Sequence, residues 1–552
     1  MSRIDQLAVA LSTLAVIFAA LVAHTIFENV PHLEDELAYV WQARLLADGA
    51  LTIPSPPHEK SFLVPFVVDH NGQRFGKYPP GWPLVLSIGV ALGVRHLVNP
   101  ILAGLAIWLT YLLGKRVFGE ITGLLAAALT VTSPFFLINS GSLLSHPLGL
   151  VLSAGFALLW LYAFGDSNAP RRWQYSAGAA IILGFLILAR PFTALGVALP
   201  FALHGLYLFF FGSFTPSQRR KTRLHLLGFG LLTIALASLH FLWQYRVTGD
   251  PFLNPYTLWW EYDRVGFGPG IGVTDDGHSL HIARINTRSS LKAGWRDLFG
   301  WGTISWLFLP FGILASLRNL KGLLIGAVFP GLVFIHIFYW IGSELFGPRY
   351  YYEGLFSLTL FTALGAAWLS DWKTGPHPLN TGQGPPDDNS TLQREGDGGL
   401  LDRLYRRLSP AYKRFLGQPA ILKQNADLHQ VRRFLVPLSL VLLVSYNMLY
   451  FLPGRLWEMH DLYTISRSDL EPFLTQEAQK LTPALVIVHS DRWMSYGALI
   501  ELEDPRLTTP FIFAWSRGPA ADEALAADFP DRNVYHYYVE EPDKFYLDPI
   551  DP

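Results

Sequence analysis

Residues 7–27, LAVALSTLAVIFAALVAHTIF, carry no Asp, Glu, Lys or Arg. At 1.5 Å per residue a helix over this stretch is about 31 Å long, the thickness of a bilayer hydrocarbon core. The next nine residues, ENVPHLEDE (28–36), end in three adjacent carboxylates, Glu34, Asp35 and Glu36. So abrupt a change marks a membrane boundary. Arg3 before the apolar run also suits a secretory signal, but no small-x-small cleavage site follows, and the run is read as an anchor.

Working outward, similar runs recur to Trp372 and once more before the tail. Spanning helices are expected near 7–27, 97–117, 120–138, 145–165, 174–191, 193–212, 224–245, 303–317, 321–342, 350–370 and 433–452. The composition agrees. Of 552 residues, 51% are apolar and 15% charged, against about 25% charged in soluble domains. The 42 Lys+Arg against 43 Asp+Glu leave a net charge of −1, with no excess to attract nucleic acid. Cysteine is absent, which excludes disulfides, thiolate metal sites and cysteine nucleophiles. The expected fold is an all-α polytopic membrane protein of about 11 transmembrane helices with a small extracytoplasmic α/β C-terminal domain.

Orientation comes from the basic connections at Lys115–Arg116, Arg171–Arg172, Arg219–Arg223 and Arg318–Lys321, and from segment 371–432. Threading from a cytoplasmic N-terminus puts all of them inside. Connections 28–96, 139–144, 246–302, 343–349 and the tail then lie outside, with 81–94 as an interfacial or re-entrant helix. Residues 1–372 thus form a membrane domain with long outer loops at 28–96 and 246–302. Residues 373–432 make a cytoplasmic linker, disordered over 374–398 and ending in a basic amphipathic helix over 401–416. The last transmembrane helix occupies 433–453. In the tail, 454–552, a helical pattern at 468–481 precedes strand-like runs at 484–489, 510–515 and 533–539.

Chemistry concentrates in the first outer loop. The helical pattern from Glu34 to Ala47 puts Asp35, Tyr39 and Gln42 on one face, which favours a site over a merely solvated helix start. Crowded carboxylates are expected to raise one another's pKa values. Lys77, in Phe75–Gly76–Lys77–Tyr78–Pro79–Pro80–Gly81–Trp82–Pro83, is placed by stiff prolines where its ammonium could meet a lipid phosphate. Arg190, Arg349 and Tyr350 fall at outer ends of expected spans, against the positive-inside bias, and suit a phosphate and a sugar ring.

These residues resemble the integral-membrane glycosyltransferases of the C-type fold that use polyprenyl-phosphate sugars, the superfamily of the protein mannosyltransferases and the aminoarabinose transferase. Asp35-Glu36-Leu37-Ala38-Tyr39, with Gln42-Ala43-Arg44-Leu45-Leu46 and Gly49, resembles the acidic first-loop motif. Lys77-Tyr78-Pro79-Pro80-Gly81-Trp82 is similar to a Lys-Pro-Pro-Leu element with one residue interposed. Thr132-Ser133-Pro134-Phe135 and Gly347-Pro348-Arg349-Tyr350 add to the likeness, which covers residues 1 to about 370. The resemblance implies Asp35 as catalytic base and Glu36 as its supporting acid. Where relatives carry an aspartate in the second outer loop, this chain has Ser142-Leu143-Leu144-Ser145-His146-Pro147, which makes His146 a candidate substitute.

The implied reaction moves a sugar from a polyprenyl-phosphate donor to a glycan, lipid or protein acceptor at the outer face of the cell membrane, with inversion. No cofactor is required, and a divalent cation near Glu34–Glu36 is compatible with the spacing but not demanded by it. No Gly-rich phosphate loop or His-Glu-x-x-His motif points to a nucleotide donor or a zinc hydrolase. Two rivals are a transporter of lipid-linked saccharides and a non-catalytic scaffold. Transporters place ionisable groups near the bilayer midplane, whereas the charges here sit at span ends and in outer loops.

Overall fold

The computed structural model describes residues 1–165, 171–212, 214–372, 426–539 and 545–546. The expected disordered and amphipathic parts of the linker, 374–398 and 401–416, lie outside the described residues.

The first half is a run of helices: α1 (Arg3–Thr25), α2 (Glu34–Ala47), α3 (Gly81–Ala91), α4 (Val98–Val117), α5 (Glu120–Val131), α6 (Pro134–Gly141), α7 (His146–Phe164), α8 (Arg172–Ala189), α9 (Pro191–Phe210) and α10 (Pro216–Thr248). Then come α11 (Pro255–Trp259), α12 (Leu280–Asp297), α13 (Leu309–Ser316), α14 (Leu320–Gly326), α15 (Val328–His336) and α16 (Leu355–Leu369), and after the linker α17 (Ala426–Tyr446). Proline at the first turn starts α6, α7, α9 and α10, where its missing N–H costs nothing.

Among the described residues, seven helical stretches are long and apolar enough to cross a membrane, or nine if each of two bent pairs is one span. Nine at most of the expected eleven spans meet that length and composition. The pairs are α5 with α6, bent by 61°, and α12 with the stretch Gly302–Ser316, bent by 100°. The expected spans at 321–342 and 350–370 are shorter than the apolar runs suggested. Ala327 alone separates α14 from α15, and α16 has 15 residues, about 22 Å of helix against a core of about 30 Å. Most of α16 is buried among other helices, so its apolar character serves protein packing rather than lipid contact. The 11 residues of α3 are likewise too few to cross.

The segment between α1 and α3 folds into α2 and a three-stranded antiparallel sheet, β1 (Ile53–Pro54), β2 (Val67–His70) and β3 (Gln73–Gly76), in the order β1-β3-β2. Asn71–Gly72 closes the β2–β3 hairpin with both residues at positive φ, 51° and 73°, the geometry a two-residue turn of type I′ demands. In the tail, β4 (Ala484–His489) lies between β5 (Phe511–Trp515) and β6 (Asn533–Tyr538), parallel to both, and β7 (Phe545–Tyr546) runs antiparallel at the edge. The pattern at 468–481 is not one helix. It is broken into Arg467–Leu470, Glu471–Leu474 and Gln476–Gln479, with Thr475 starting a new turn by capping Ala478 N.

Loop and tail share one apolar core: Val30, Leu37, Trp41 and Ile53 pack with Phe473, Val486, Leu499 and Phe513. Arg44 on α2 donates to the carbonyls of Ile500, Glu501 and Glu503 and to the Glu501 carboxylate, which Arg95 also contacts. The helix carrying Asp35 is therefore held from one side by the membrane bundle and from the other by the tail. Farther along, Arg455 pairs with fully buried Asp297 at 3.0 Å and ties the tail's entry to the end of α12.

Candidate functional site

The site is built where the N-terminal end of α2 meets α3, the ends of α7 and α8, and the turn before α16. Leu33 precedes α2 and has no side chain able to cap it. Glu36, in the first turn, supplies the missing acceptor. Its Oε2 takes the amides of His32 (2.8 Å) and Leu33 (3.1 Å), and its Oε1 takes the amide of Leu143 (2.6 Å). Glu36 is 1% exposed, and burial pushes its carboxyl up despite these bonds. It fastens the turn between α6 and α7 to α2. Asn99 Nδ2, donating to the Ser142 and Leu144 carbonyls, and Trp82 Nε1, donating to the Leu143 carbonyl, hold the same turn.

Asp35, one residue earlier, faces a different environment. Oδ1 accepts the Tyr78 hydroxyl, and Oδ2 lies 3.3 Å from Arg349 Nη2, with the carboxylate about a fifth exposed. Burial opposes its ionisation, but Arg349, Tyr78, Lys77 and Arg190 outweigh burial and hold it below the usual carboxylate value. The expectation that adjacent acids raise one another holds for Glu34, which burial and Asp35 push up. It fails for Asp35, because the cations are nearer in effect than the acids.

Lys77 follows β3 and donates its backbone amide to the Phe66 carbonyl. Gln42 fixes the strip from the α2 side, donating to the carbonyls of Tyr78 (2.9 Å) and Gly76 (3.4 Å). A Cβ at Gly76 would collide with the Gln42 side chain, so a larger residue here would displace Gln42. The Lys77 ammonium does not point freely into the interface. It is 3% exposed, 3.5 Å from Asp263 and enclosed by the rings of Phe66 (3.6 Å), Tyr256 (4.9 Å), Trp260 (5.0 Å) and Tyr78 (5.3 Å). Burial pulls its pKa below the usual lysine value although Asp263 and Asp35 resist. Asp263 is in turn set by Tyr339 Oη and Trp340 Nε1, each donating at 3.0 Å.

A second chain of contacts runs behind Asp35. Arg190, between α8 and α9, donates from Nη1 to Ser145 Oγ (2.7 Å) and from Nε to Glu353 Oε1 (2.8 Å). Tyr39 Oη lies 3.3 Å from the same Ser145 Oγ. His146 Nδ1 stands 3.2 Å from Glu353 Oε1. Gly149, one turn into α7, lets Glu353 in, because a Cβ there would meet its carboxylate at 2.6 Å. Glu353 is fully buried, and its Oε2 has no hydrogen-bond partner. Tyr350 stacks on His336 at 5.4 Å, with the Arg349 guanidinium 5.7 Å from its ring.

The structure thus brings Asp35, Tyr39, Lys77, Arg190, Arg349 and Tyr350 together. It sets Glu36 into the backbone, and it puts His146 beside Glu353 and Arg190 rather than on Asp35. Tyr78, Asp263, Ser145 and Glu353 complete the arrangement and were not singled out from sequence. Tyr78 and Ser145 stood inside quoted motifs. Glu353 follows three residues after the Gly347–Tyr350 motif, a carboxylate inside the expected span 350–370. Asp263, in a loop 186 positions from Lys77, gave no local signal. Among the described residues, no group of three or more His, Asp or Glu side chains is placed to hold a metal ion.

No protein-family model matches the chain, and no curated protein matches it in sequence. Solved structures do match. ArnT from Cupriavidus metallidurans bound to undecaprenyl phosphate aligns over 96% of this chain and 89% of its own, at 14% identity and a TM-score of 0.54. The apo state of the same protein gives 95%, 88%, 14% and 0.53. The chain has the C-type glycosyltransferase fold. The Archaeoglobus fulgidus oligosaccharyltransferase in the apo form aligns over 95% of this chain and 69% of its own, at 14% identity and a TM-score of 0.49.

Proposed function

We propose that the protein is an inverting glycosyltransferase that moves a sugar from a polyprenyl-phosphate donor to an acceptor hydroxyl or amine at the outer face of the cell membrane. The observation that carries this reading is Asp35, a carboxylate kept ionised and partly open to solvent beside cations from three separate elements, Lys77, Arg190 and Arg349. A deprotonated carboxylate accepts a proton, and cations neutralise the charge that develops on a departing phosphate. The fold shared with ArnT, a protein solved with undecaprenyl phosphate bound, supports a lipid-phosphate donor.

In the proposed reaction the acceptor gives its proton to Asp35 as its oxygen or nitrogen attacks the anomeric carbon. The bond to the phosphate oxygen breaks, and the electron pair leaves with the polyprenyl phosphate. A single base with direct displacement inverts the anomeric centre, unlike the paired-carboxylate retaining mechanism. Glu36, with both oxygens on backbone amides, has a positioning role only. Lys77 meets the phosphate after giving up Asp263. Protein cations stabilise the leaving group, and the proposal includes no metal.

The proposal sets the N-terminus inside and the tail outside, on the strength of the basic short connections. Because the chain has no cysteine, Ser468→Cys should react with an impermeant thiol reagent in intact cells and Ser217→Cys should not; the reverse pattern would move Asp35 to the cytoplasm. Function is tested by mass spectrometry of glycolipids and glycoproteins from a deletion strain. One glycan should lose a sugar, regained with the wild-type gene and not with Asp35→Asn. A glycan profile indifferent to the deletion would contradict the proposal.

A further inference from the structure

The opposite end of the bundle carries a cluster of charges that the proposed reaction does not use. Between Asp166 and Asp250 the sequence contains no carboxylate. Within that stretch, Arg171 and Arg172 precede or open α8, and Arg219, Arg220, Lys221 and Arg223 lie in the first turns of α10. The two helices run side by side from this end. Arg172 Nη1 lies 3.2 Å from Thr222 Oγ1, and Ser176 Oγ donates to the His225 carbonyl at 3.3 Å. Six cations are thus gathered at one edge, and among the described residues none of them has a carboxylate partner.

Helix energetics do not account for this. Cations in the first turns of a helix oppose its dipole, which favours anions there. Arg219, Arg220 and Arg223 line a cavity of about 370 Å³ together with Phe214, Pro216 and Leu224. Arg223 is fixed by its Nε donating to the Phe209 carbonyl at 2.9 Å, with its guanidinium over the Phe209 ring at 5.1 Å. Arg219 and Arg220 make no side-chain hydrogen bond among the described residues and keep their donors for a ligand. Toward the bundle centre the apolar side chains Phe210, Phe211, Leu224, Leu227 and Leu231 are all more than half exposed. A cationic pocket thus opens directly onto a bare apolar surface.

We infer that this pocket binds the phosphate of an anionic phospholipid, with the acyl chains lying along the exposed face of α9 and α10. Arginine forks match phosphate oxygens bidentately, and the adjoining apolar surface distinguishes a lipid headgroup from a free anion. The site is separate from the Asp35 cluster, and its occupation does not depend on what that cluster does.

The test uses the full chain purified in mild detergent and scored by native mass spectrometry at low ionic strength. Dioleoylphosphatidylglycerol, dioleoylphosphatidylcholine and inorganic phosphate serve as probes. Phosphatidylglycerol should bind on the order of tenfold or more tightly than phosphatidylcholine, since each basic residue near an anionic lipid contributes measurably, and the preference should shrink as salt is added. The triple variant Arg219→Gln/Arg220→Gln/Arg223→Gln should lose the preference, whereas Arg246→Gln, at the other end of α10, should keep it. Millimolar phosphate should not displace the lipid. Equal binding of the two lipids, a preference that survives the triple variant with an unchanged melting curve, or displacement by phosphate would each overturn the inference.

Discussion

The two ends of the membrane bundle treat positive charge in opposite ways. At the Asp35 end every cation of the site has an acid: Lys77 with Asp263, Arg190 with Glu353, Arg349 with Asp35. These groups are largely buried and come from distant parts of the chain. At the α8–α10 end six cations stand without carboxylates among the described residues, mostly exposed and close in sequence. Buried ions need partners, because desolvation is not repaid otherwise. Exposed ions at a membrane edge can leave neutralisation to water, salt or lipid. The first arrangement builds a preorganised site, and the second builds an electrostatic surface.

The strongest way to break this contrast is to remove one buried partner. Glu353→Ala leaves Arg190 largely desolvated and unpaired, and should destabilise the fold by about 3–5 kcal/mol. Arg190→Ala added to it should give back part of that loss. Thermal unfolding in detergent at a fixed scan rate measures both, and an unaltered melting curve for Glu353→Ala would show that the pair is not structural. Next in size, Lys77→Met should lower kcat/KM for transfer by about 2–4 kcal/mol through lost leaving-group stabilisation, read as a rate on any donor the protein accepts.

Arg349→Gln sharpens the comparison through pH. Asp35 is depressed in the folded protein, so its ion pair contributes stability above the unfolded carboxylate pKa and loses it as pH falls through the folded value. The base stays charged across neutral and mildly acid pH. Without Arg349, burial gains weight and the Asp35 pKa rises, so the acid limb of kcat/KM should move to higher pH. A stationary limb would show that Arg349 does not set the base. Smallest of all, the double Arg219→Gln/Arg220→Gln variant should change stability in lipid-free detergent by no more than about 0.5 kcal/mol, as exposed substitutions do.

Sequence and structure agree most where the signal is local. The apolar run of α1, the helix from Glu34 to Ala47, and the juxtaposition of Asp35, Tyr39 and Gln42 on one face could all be read from spacing. The Asn71–Gly72 turn between Val67–Val68 and Phe75 was an equally local hairpin signal that the apolar runs overshadowed. Span number was harder, because hydropathy measures burial without saying what does the burying. The residues of α16 are apolar because other helices surround them. Hardest were the roles of adjacent acids. Asp35 and Glu36 are neighbours, yet one meets Arg349 and the other meets the amides of His32, Leu33 and Leu143, and only the folded chain separates them. The same holds for Lys77, whose partner Asp263 is distant in sequence.

The claim that Asp35 is the base is tested most directly by transfer from purified polyprenyl-phosphate sugars, with donor binding measured in parallel for wild type, Asp35→Asn and Glu36→Gln. General-base contributions are on the order of 10²–10⁴-fold. Asp35→Asn should lose turnover by about that factor while still binding donor. Glu36→Gln should bind donor and lose less turnover, in step with its effect on stability, because its oxygens hold amides rather than protons in transit. Wild-type turnover in Asp35→Asn would contradict the account, whatever Glu36→Gln does.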